Sequence, residues 1–473
     1  MKKLIGRIQE KTILLDALES ERSELIVVYG RRRVGKTFLI RNVYKNSIAF
    51  EFSGINKIPL KQQLLNFHLT LSSKKTSYKK PVNWIEAFHQ LAQYFDSLKS
   101  NNKKVIFIDE FPWLDTRKSN FLSAFDNFWN NYVSKQNDLI VVVCGSDASH
   151  MIKKIVKNKG GLHNRLTQRI QLKPFILLET EQMLKRNKIK FTRYDIIQIY
   201  MAMGGIPHYL EKIKTGESVS QSLDRLCFQK DGFLRTEFDN VFASLFEQHD
   251  NHEAIIRVLA KVRKGMTRTE ILTKSKIKSG GTLSKTLEEL EESGFIEKYF
   301  PYQGKKDSVY RIIDEYSLFY IKFIEKSRPS DNHVWMKLAG QQSYKIWSGF
   351  SFETICIKHV SQIKEGLKIS GINSNSGSWV EKKSLNNAQI DLLIDRDDNV
   401  INLCEMKFYN SEFTIDKKYA FEIAKKVDAF VLSTKTRKSI FVTFLTTHGL
   451  KKNEYSKQIV QNELIMNHLF VQL

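Results

Sequence analysis

Two sets of residues in this chain combine the side-chain types and spacings that phosphate chemistry requires. The first lies in "GRRRVGKT", residues 30–37, where glycines bracket a short loop and a lysine and a hydroxyl follow directly. The apolar run "ELIVVY" precedes it and the amphipathic run "FLIRNVY" follows, so the loop joins a strand to a helix amino terminus. In that context the GxxxxGK[ST] pattern lets backbone N–H groups and the helix amino terminus cradle phosphate oxygens. Nucleotide contacts are expected at Gly30, Arg31, Arg32, Arg33, Val34, Gly35, Lys36, Thr37 and Phe38, with Lys36 on the β and γ phosphates and Thr37 on Mg2+. A second apolar strand, "KKVIFID", ends in Asp109 and Glu110. The aspartate would hold magnesium through water, and the neighbouring carboxylate would polarise the attacking water. A third strand, "DLIVVVCG", ends in Ser146 and Asp147, polar groups placed to sense the γ phosphate or that water. Three buried strands with polar carboxyl ends follow the rule for ligand sites in open α/β sheets. The expected ligand is ATP rather than GTP, because "NKGG" at residues 158–161 lacks the aspartate of an NKxD guanine-reading motif.

The second set is Asp391, Glu405 and Lys407, spaced D-x(13)-E-x-K across "AQIDLLID", a turn at "RDDN" and "VINLCEMKFYN". Side chains alternate along a strand, so Glu405 and Lys407 share a face. Two carboxylates on neighbouring strands can hold Mg2+ or Mn2+, which stabilises a pentacovalent phosphate and acidifies bound water. Lys407 would orient or deprotonate that water, and Glu353, read in the first turn of a helix in "GFSFETICIKHVSQIKEG", would add a third carboxylate. This spacing resembles the active site of the restriction-endonuclease-like PD-(D/E)XK fold. Two alternatives stay open here: a solvated ion pair on an edge strand, or the same fold without catalysis.

The elements that must carry these residues set the rest of the reading. At 473 residues, 42% of them hydrophobic, the chain can build several cores. Its apolar runs are strand length, far short of the roughly 20 residues of a membrane helix. The start "MKKLIGRIQEKT" has no apolar signal region, so a cytoplasmic location and no membrane partner are expected. The four cysteines are scattered singly, and neither disulfides nor zinc are expected. The net charge of +24 favours polyanions, nucleic acid above all, though lysine spread along the whole chain is equally a matter of composition. From Asn251, three short helices and two strand-like segments, "IEKYF" and "SVYRII", spell a winged helix-turn-helix around the turn "PYQGKKD". Its basic stretch (Lys261, Arg263, Lys264, Arg268, Lys274, Lys276, Lys278, Lys285) suits phosphate contact, with DNA favoured. The acidic run Glu288, Glu289, Glu291, Glu292 suits a connector or protein-binding role instead. The aromatic stretch "DEYSLFYIKFIEKSRPSDNHVWMK" is expected to pack as a helix against the wing, with a boundary at "SRPSDN".

Six motifs in order, "IGRIQEKTILLDAL", "YGRRRVGKT", "IDEFPWL", "CGSDASHM", "NRLTQRIQLKPF" and "GGIPHYL", resemble the archaeal-type ATPase family within the STAND branch of AAA-related P-loop ATPases. The resemblance spans about residues 1–240. It implies that Gly6 and Arg7 lie near the adenine, that Arg165 acts as an arginine finger or sensor, and that Pro207 of a helical lid approaches the nucleotide. Family members usually carry serine where this chain has Asp147, so the sensor role rests on Ser146. An arginine finger implies a homo-oligomer; a protein partner on the ATPase or winged helix is the alternative. The carboxyl-terminal region resembles the nuclease-like domain appended to many such ATPases. The expected fold class is α/β: a P-loop core (1–175) with a helical lid (176–248), a winged helix (249–328) and a restriction-endonuclease-like domain (329–473). Two functions follow: an ATPase controlling a metal-dependent nuclease, or a signalling or transcription-regulating ATPase whose nuclease-like domain only binds.

Overall fold

A computed structural model describes residues 3–75, 78–99, 102–156, 165–246, 248–262, 264–302, 308–328, 333–381 and 388–473. Outside these fall the "NKGG" segment, Arg263, residues 303–307 at the end of "PYQGKKD", the end of "SRPSDN" and residues 382–387. The chain divides into two units, residues 1–174 with 292–294, and residues 175–291 with 295–473.

The first unit is built on five parallel strands: β1 (Glu24–Tyr29), β2 (Ile48–Ser53), β3 (Lys104–Asp109), β4 (Leu139–Gly145) and β5 (Gln168–Gln171), in the order β2-β3-β4-β1-β5. β1, β3 and β4 are buried at every position, which is why they read as unbroken apolar runs rather than alternating ones. One core cluster against the sheet is aromatic, supplied largely by the helices Trp84–Asp96 and Phe121–Asn131. Trp84 meets Phe121 edge-on at 4.9 Å and Phe88 stacks on Phe128 at 5.0 Å. Burying each such ring contributes roughly 1.5–3 kcal/mol. The chain runs out to β2, returns through β3 and β4, and places β4 beside β1. The loops after β1, β3 and β4 therefore open at one end of the sheet, at its switch point.

In the second unit, β6 (Met266–Thr267), β7 (Ile296–Tyr299) and β8 (Val309–Ile312) form an antiparallel sheet ordered β6-β8-β7, accompanied by the helices Asp250–Leu259, Arg268–Ser275 and Gly280–Glu292. A mixed sheet follows: β9 (Ser374–Val380), β10 (Gln389–Arg396), β11 (Val400–Lys407), β12 (Ser439–Thr446) and β13 (Asn462–Ile465), ordered β13-β12-β11-β10-β9. β9, β10 and β11 are antiparallel, whereas β11, β12 and β13 run parallel. The β10–β11 turn falls at "RDDN", where Asn399 takes φ 62, a left-handed conformation that asparagine tolerates. Phe352 of the helix Gln342–Lys358 packs on Phe408 at 5.6 Å, and Phe430 of the helix Lys417–Thr434 packs on Trp379 at 5.3 Å.

Two expectations are corrected. The helix carrying Glu353 begins at Gln342, so that residue sits in its later half and not its first turn. The earlier start is fixed by Tyr344 and Trp347, whose rings pack around Trp335 at 5.4 and 6.3 Å. The aromatic stretch after the wing forms the helix Glu315–Phe319 and a wider turn, Tyr320–Ile324. It packs on Phe238, Phe228, Trp335 and Trp347, with Tyr320 flat on Phe238 at 4.5 Å, rather than on the wing. Among the described residues no helix is long and apolar enough to cross a membrane.

Candidate functional site

The loop between β1 and the helix Lys36–Val43 supplies the first part of the site. Gly30 takes φ 142 and Gly35 φ 94, both disfavoured for other residues, and a Cβ on Gly30 would stand 2.3 Å from the Leu172 carbonyl oxygen. The Lys36 ammonium donates to the carbonyls of Gly30 (2.9 Å) and Arg31 (3.1 Å), so the loop folds around its own lysine. Thr37 follows at the helix start, and its hydroxyl donates to Asp109 Oδ2 at 2.7 Å. That pairs the loop after β1 with the end of β3. Glu110, next along, takes φ 45, and its carboxylate accepts from the Ser146 hydroxyl at 2.8 Å at the end of β4. The sequence thus converges from three strand ends on one line of oxygens: Thr37, Asp109, Glu110, Ser146.

Arg7 supports this loop from the other side. It is 5% exposed, sits at φ 56 before the helix Ile8–Glu19, and donates to the Val34 carbonyl at 3.3 Å. Gly6, at φ 55, makes the turn that brings it there. Asp147 caps a helix: its side chain accepts from the His150 amide at 2.9 Å and starts the short helix Ala148–Met151. An aspartate suits that capping position as well as serine does. Ser146, not Asp147, is the residue bound to Glu110.

Residues 5–213 match a family described as an ATPase domain predominantly from Archaea. This segment is similar to an archaeal-type ATPase domain. Over 384 residues the chain is 26% identical to the uncharacterized protein MJECL04 of Methanocaldococcus jannaschii, spanning 79% of this chain and 81% of that one. Among solved structures it is similar to the Walker-type ATPase paby2304 of Pyrococcus abyssi, with 17% identity, a TM-score of 0.49, and coverage of 67% of this chain and 96% of that one. It is also similar to the ORC2 protein of Aeropyrum pernix in ADPNP–ADP complexes, with 14% identity, a TM-score of 0.41, and coverage of 72% and 96%.

The remaining residues expected in the ATPase domain are placed as follows. Phe38 is about one-third exposed on the first turn after the loop. Arg31 is buried, while Arg32 and Arg33 are half-buried, Arg33 at φ 70. The Arg165 guanidinium is half-buried and paired with Asp126 of the helix Phe121–Asn131, a partner that no local pattern in the sequence reveals. Pro207 opens the short helix Pro207–Leu210 in the second unit. The preceding Gly205 is required by packing, since a Cβ there would stand 1.9 Å from the Phe175 carbonyl oxygen.

In the mixed sheet Glu405 and Lys407 do share a face, with Lys407 Nζ 3.8 Å from Glu405 Oε2. Glu405 is 7% exposed, and the helix Lys417–Thr434 surrounds its carboxylate: Lys426 pairs with Oε1 and the Tyr419 hydroxyl donates to Oε2 at 3.1 Å. Burial and then Glu405 itself push the Tyr419 hydroxyl well above its ordinary pKa. Tyr419 and Lys426 were not anticipated, yet they lie seven residues apart, two helical turns, and so line one helix face. Asp391 lies on β10 one residue before Leu392, which pairs with Cys404, the residue before Glu405. The β9–β10 register shifts between Ile390 and Leu393, two residues three apart that both join the core around Phe430. Asp391 falls inside this irregularity, accepts from Gln389 at 2.6 Å, and borders a cleft together with Glu353. Among the described residues no three His, Cys, Asp or Glu side chains are grouped to hold a metal ion. Glu405 is engaged by two ammonium groups, while Glu353 and Asp391 both line one cleft.

Proposed function

We propose that the amino-terminal domain binds ATP with Mg2+ and hydrolyses it. The observation that carries this is the continuous line Thr37–Asp109–Glu110–Ser146 beside a phosphate loop folded around Lys36. The oxygens of Thr37 and Asp109 already converge to 2.7 Å, a hard-oxygen pair suited to Mg2+, and the Gly35 backbone leaves space at the cradle where a Cβ would stand. When bound, the ion would neutralise charge on the β and γ phosphates. Glu110 would orient and polarise the water, with Ser146 fixing the carboxylate. Gly6 and Arg7 would border the adenine, and Arg165, released from Asp126, would serve as a finger between copies of the chain. Lys36→Ala should abolish phosphate release from ATP; retained hydrolysis would overturn the assignment.

We infer that the rest of the chain is controlled by this ATPase and engages nucleic acid by binding. Support comes from the +24 charge and from Lys274, Lys276, Lys278 and Lys285, which all stand exposed on the helix-rich part of the second unit. Arg268 is spent differently, pinning the next helix through the Gly280 carbonyl at 2.6 Å. The order helix, β9, β10, β11, helix, β12, with Glu405 and Lys407 on one face, favours a second reading as a metal-dependent nuclease. Cutting of DNA or RNA with Mn2+ by the full chain, absent in Glu405→Ala, would establish that second reading. No cutting with intact ATPase activity supports the binding one.

A further inference from the structure

The second unit contains a cleft of about 290 Å³ whose lining includes neither Glu405 nor Lys407. Its size is near the lower end of small-ligand sites, roughly 300–1,000 Å³. One wall is aromatic, formed by Trp347 and Phe350 of the helix Gln342–Lys358. Trp347 is 7% exposed, and its indole N–H has no hydrogen-bond partner among the described residues. At the rim stand Lys261, Lys264 and Lys322, all exposed and none ion-paired among the described residues. The carboxylates Glu353 and Asp391 also line the cleft.

The wall nearest the lysines is held in place. The Tyr299 hydroxyl donates to the Lys264 carbonyl at 2.6 Å, and Arg311 lies 4.5 Å over the Tyr299 ring while it donates twice to Glu297. A ligand therefore meets a preformed recess with three kinds of chemistry: unpaired ammonium groups for phosphate, an aromatic surface for a base, and carboxylates that accept from amino or hydroxyl groups. We propose that this cleft binds a nucleoside phosphate, either a free nucleotide or the phosphorylated end of a nucleic-acid strand, at a site separate from the Lys36 loop. Residues from β7 and β8, the segment after the helix Asp250–Leu259, and the mixed sheet all contribute, so occupancy ties these parts of the unit together.

The test uses the full chain carrying Lys36→Ala, which silences the phosphate loop, and fluorescence anisotropy with labelled AMP and with a labelled 5′-phosphorylated hexanucleotide. Saturable binding of at least one probe is expected, weakened at least ten-fold when Lys264→Glu and Lys322→Glu are added. If the hexanucleotide binds and its dephosphorylated form does not, the source is a strand end; if only AMP binds, it is the free nucleotide. Absence of binding by both probes, or binding indifferent to the lysine reversals, overturns the proposal. Hydrolysis of ATP by the Lys36→Ala chain would instead count against the ATPase assignment, so the two failures are separable.

Discussion

Ser146→Ala isolates the bond on which the proposed hydrolytic geometry turns. The Ser146 hydroxyl donates to Glu110 Oε2 at 2.8 Å, while the Ser146 amide reaches the same oxygen only at 3.4 Å. The side-chain bond is therefore the main restraint the end of β4 places on that carboxylate. A hydrogen bond to a charged group contributes about 1.5–3 kcal/mol. If the bond holds Glu110 where the water is polarised, its loss appears in kcat, and at about 1.4 kcal/mol per decade that is roughly a 10- to 150-fold decrease. ATP affinity should change little, because phosphate binding falls to the loop and Lys36. The assay is steady-state phosphate release across ATP concentrations, with Ser146→Thr restoring the hydroxyl and most of the rate. An unchanged or raised kcat in Ser146→Ala would refute the reasoning, since the bond would then restrain Glu110 away from its working position.

Other perturbations test other links. Glu110→Gln keeps the side-chain shape and removes the base, so hydrolysis should fall by about 10²–10⁴ while labelled ATP still binds. Gly205→Ala forces a Cβ against the Phe175 carbonyl oxygen 1.9 Å away, and overpacking of this kind costs typically 1–3 kcal/mol, read as a lower melting temperature of the second unit. His359 is buried, accepts from the Leu177 amide at 3.0 Å, donates to the Ile355 carbonyl at 2.8 Å, and has its pKa lowered by burial to about 4. Its folded value lies below the unfolded 6.5, so its contribution is whole above pH 6.5 and is lost as pH falls towards 4, by about 3 kcal/mol; urea midpoints at pH 7 and pH 4.5 should show this loss in the wild type and much less of it in His359→Gln.

What could be read beforehand, and what could not, follows from the range of the interactions. The loop Gly30–Thr37 and the pair Asp109, Glu110 were legible because their chemistry is set by neighbours in sequence: an apolar strand, a glycine, a helix start. The hairpin carrying Asp391 and Glu405 was legible for the same reason, since alternation and a turn define it locally. The register shift between Ile390 and Leu393 was not, because a bulge answers to the packing of Phe430 from a helix some 40 residues on, and the spacing D-x(13)-E-x-K is the same with or without it. Arg165 likewise looks free in sequence, and only the fold brings Asp126 to it.

The helices expected to form a lid on the nucleotide illustrate the same point with a functional consequence. They belong to the unit that also holds the mixed sheet, and specific bonds fasten them there. The Leu177 amide donates to His359, Tyr194 stacks flat on Phe408 at 4.8 Å, and Arg193 reaches Asn467 at 3.1 Å while lying over Phe470 at 4.8 Å. Phe408 directly follows Lys407 in the strand that carries the Glu405 cluster. A shift of the helix Arg193–Met203 on nucleotide turnover would therefore be transmitted to the end of β11 through a stacked ring pair, without passing through the three-stranded sheet. Tyr194→Ala should leave basal ATP hydrolysis near wild type while reducing any effect of nucleic acid on that rate. If nucleic acid alters the rate equally in wild type and Tyr194→Ala, the signal takes another route, and the helices 250–292 become the segment to cut next.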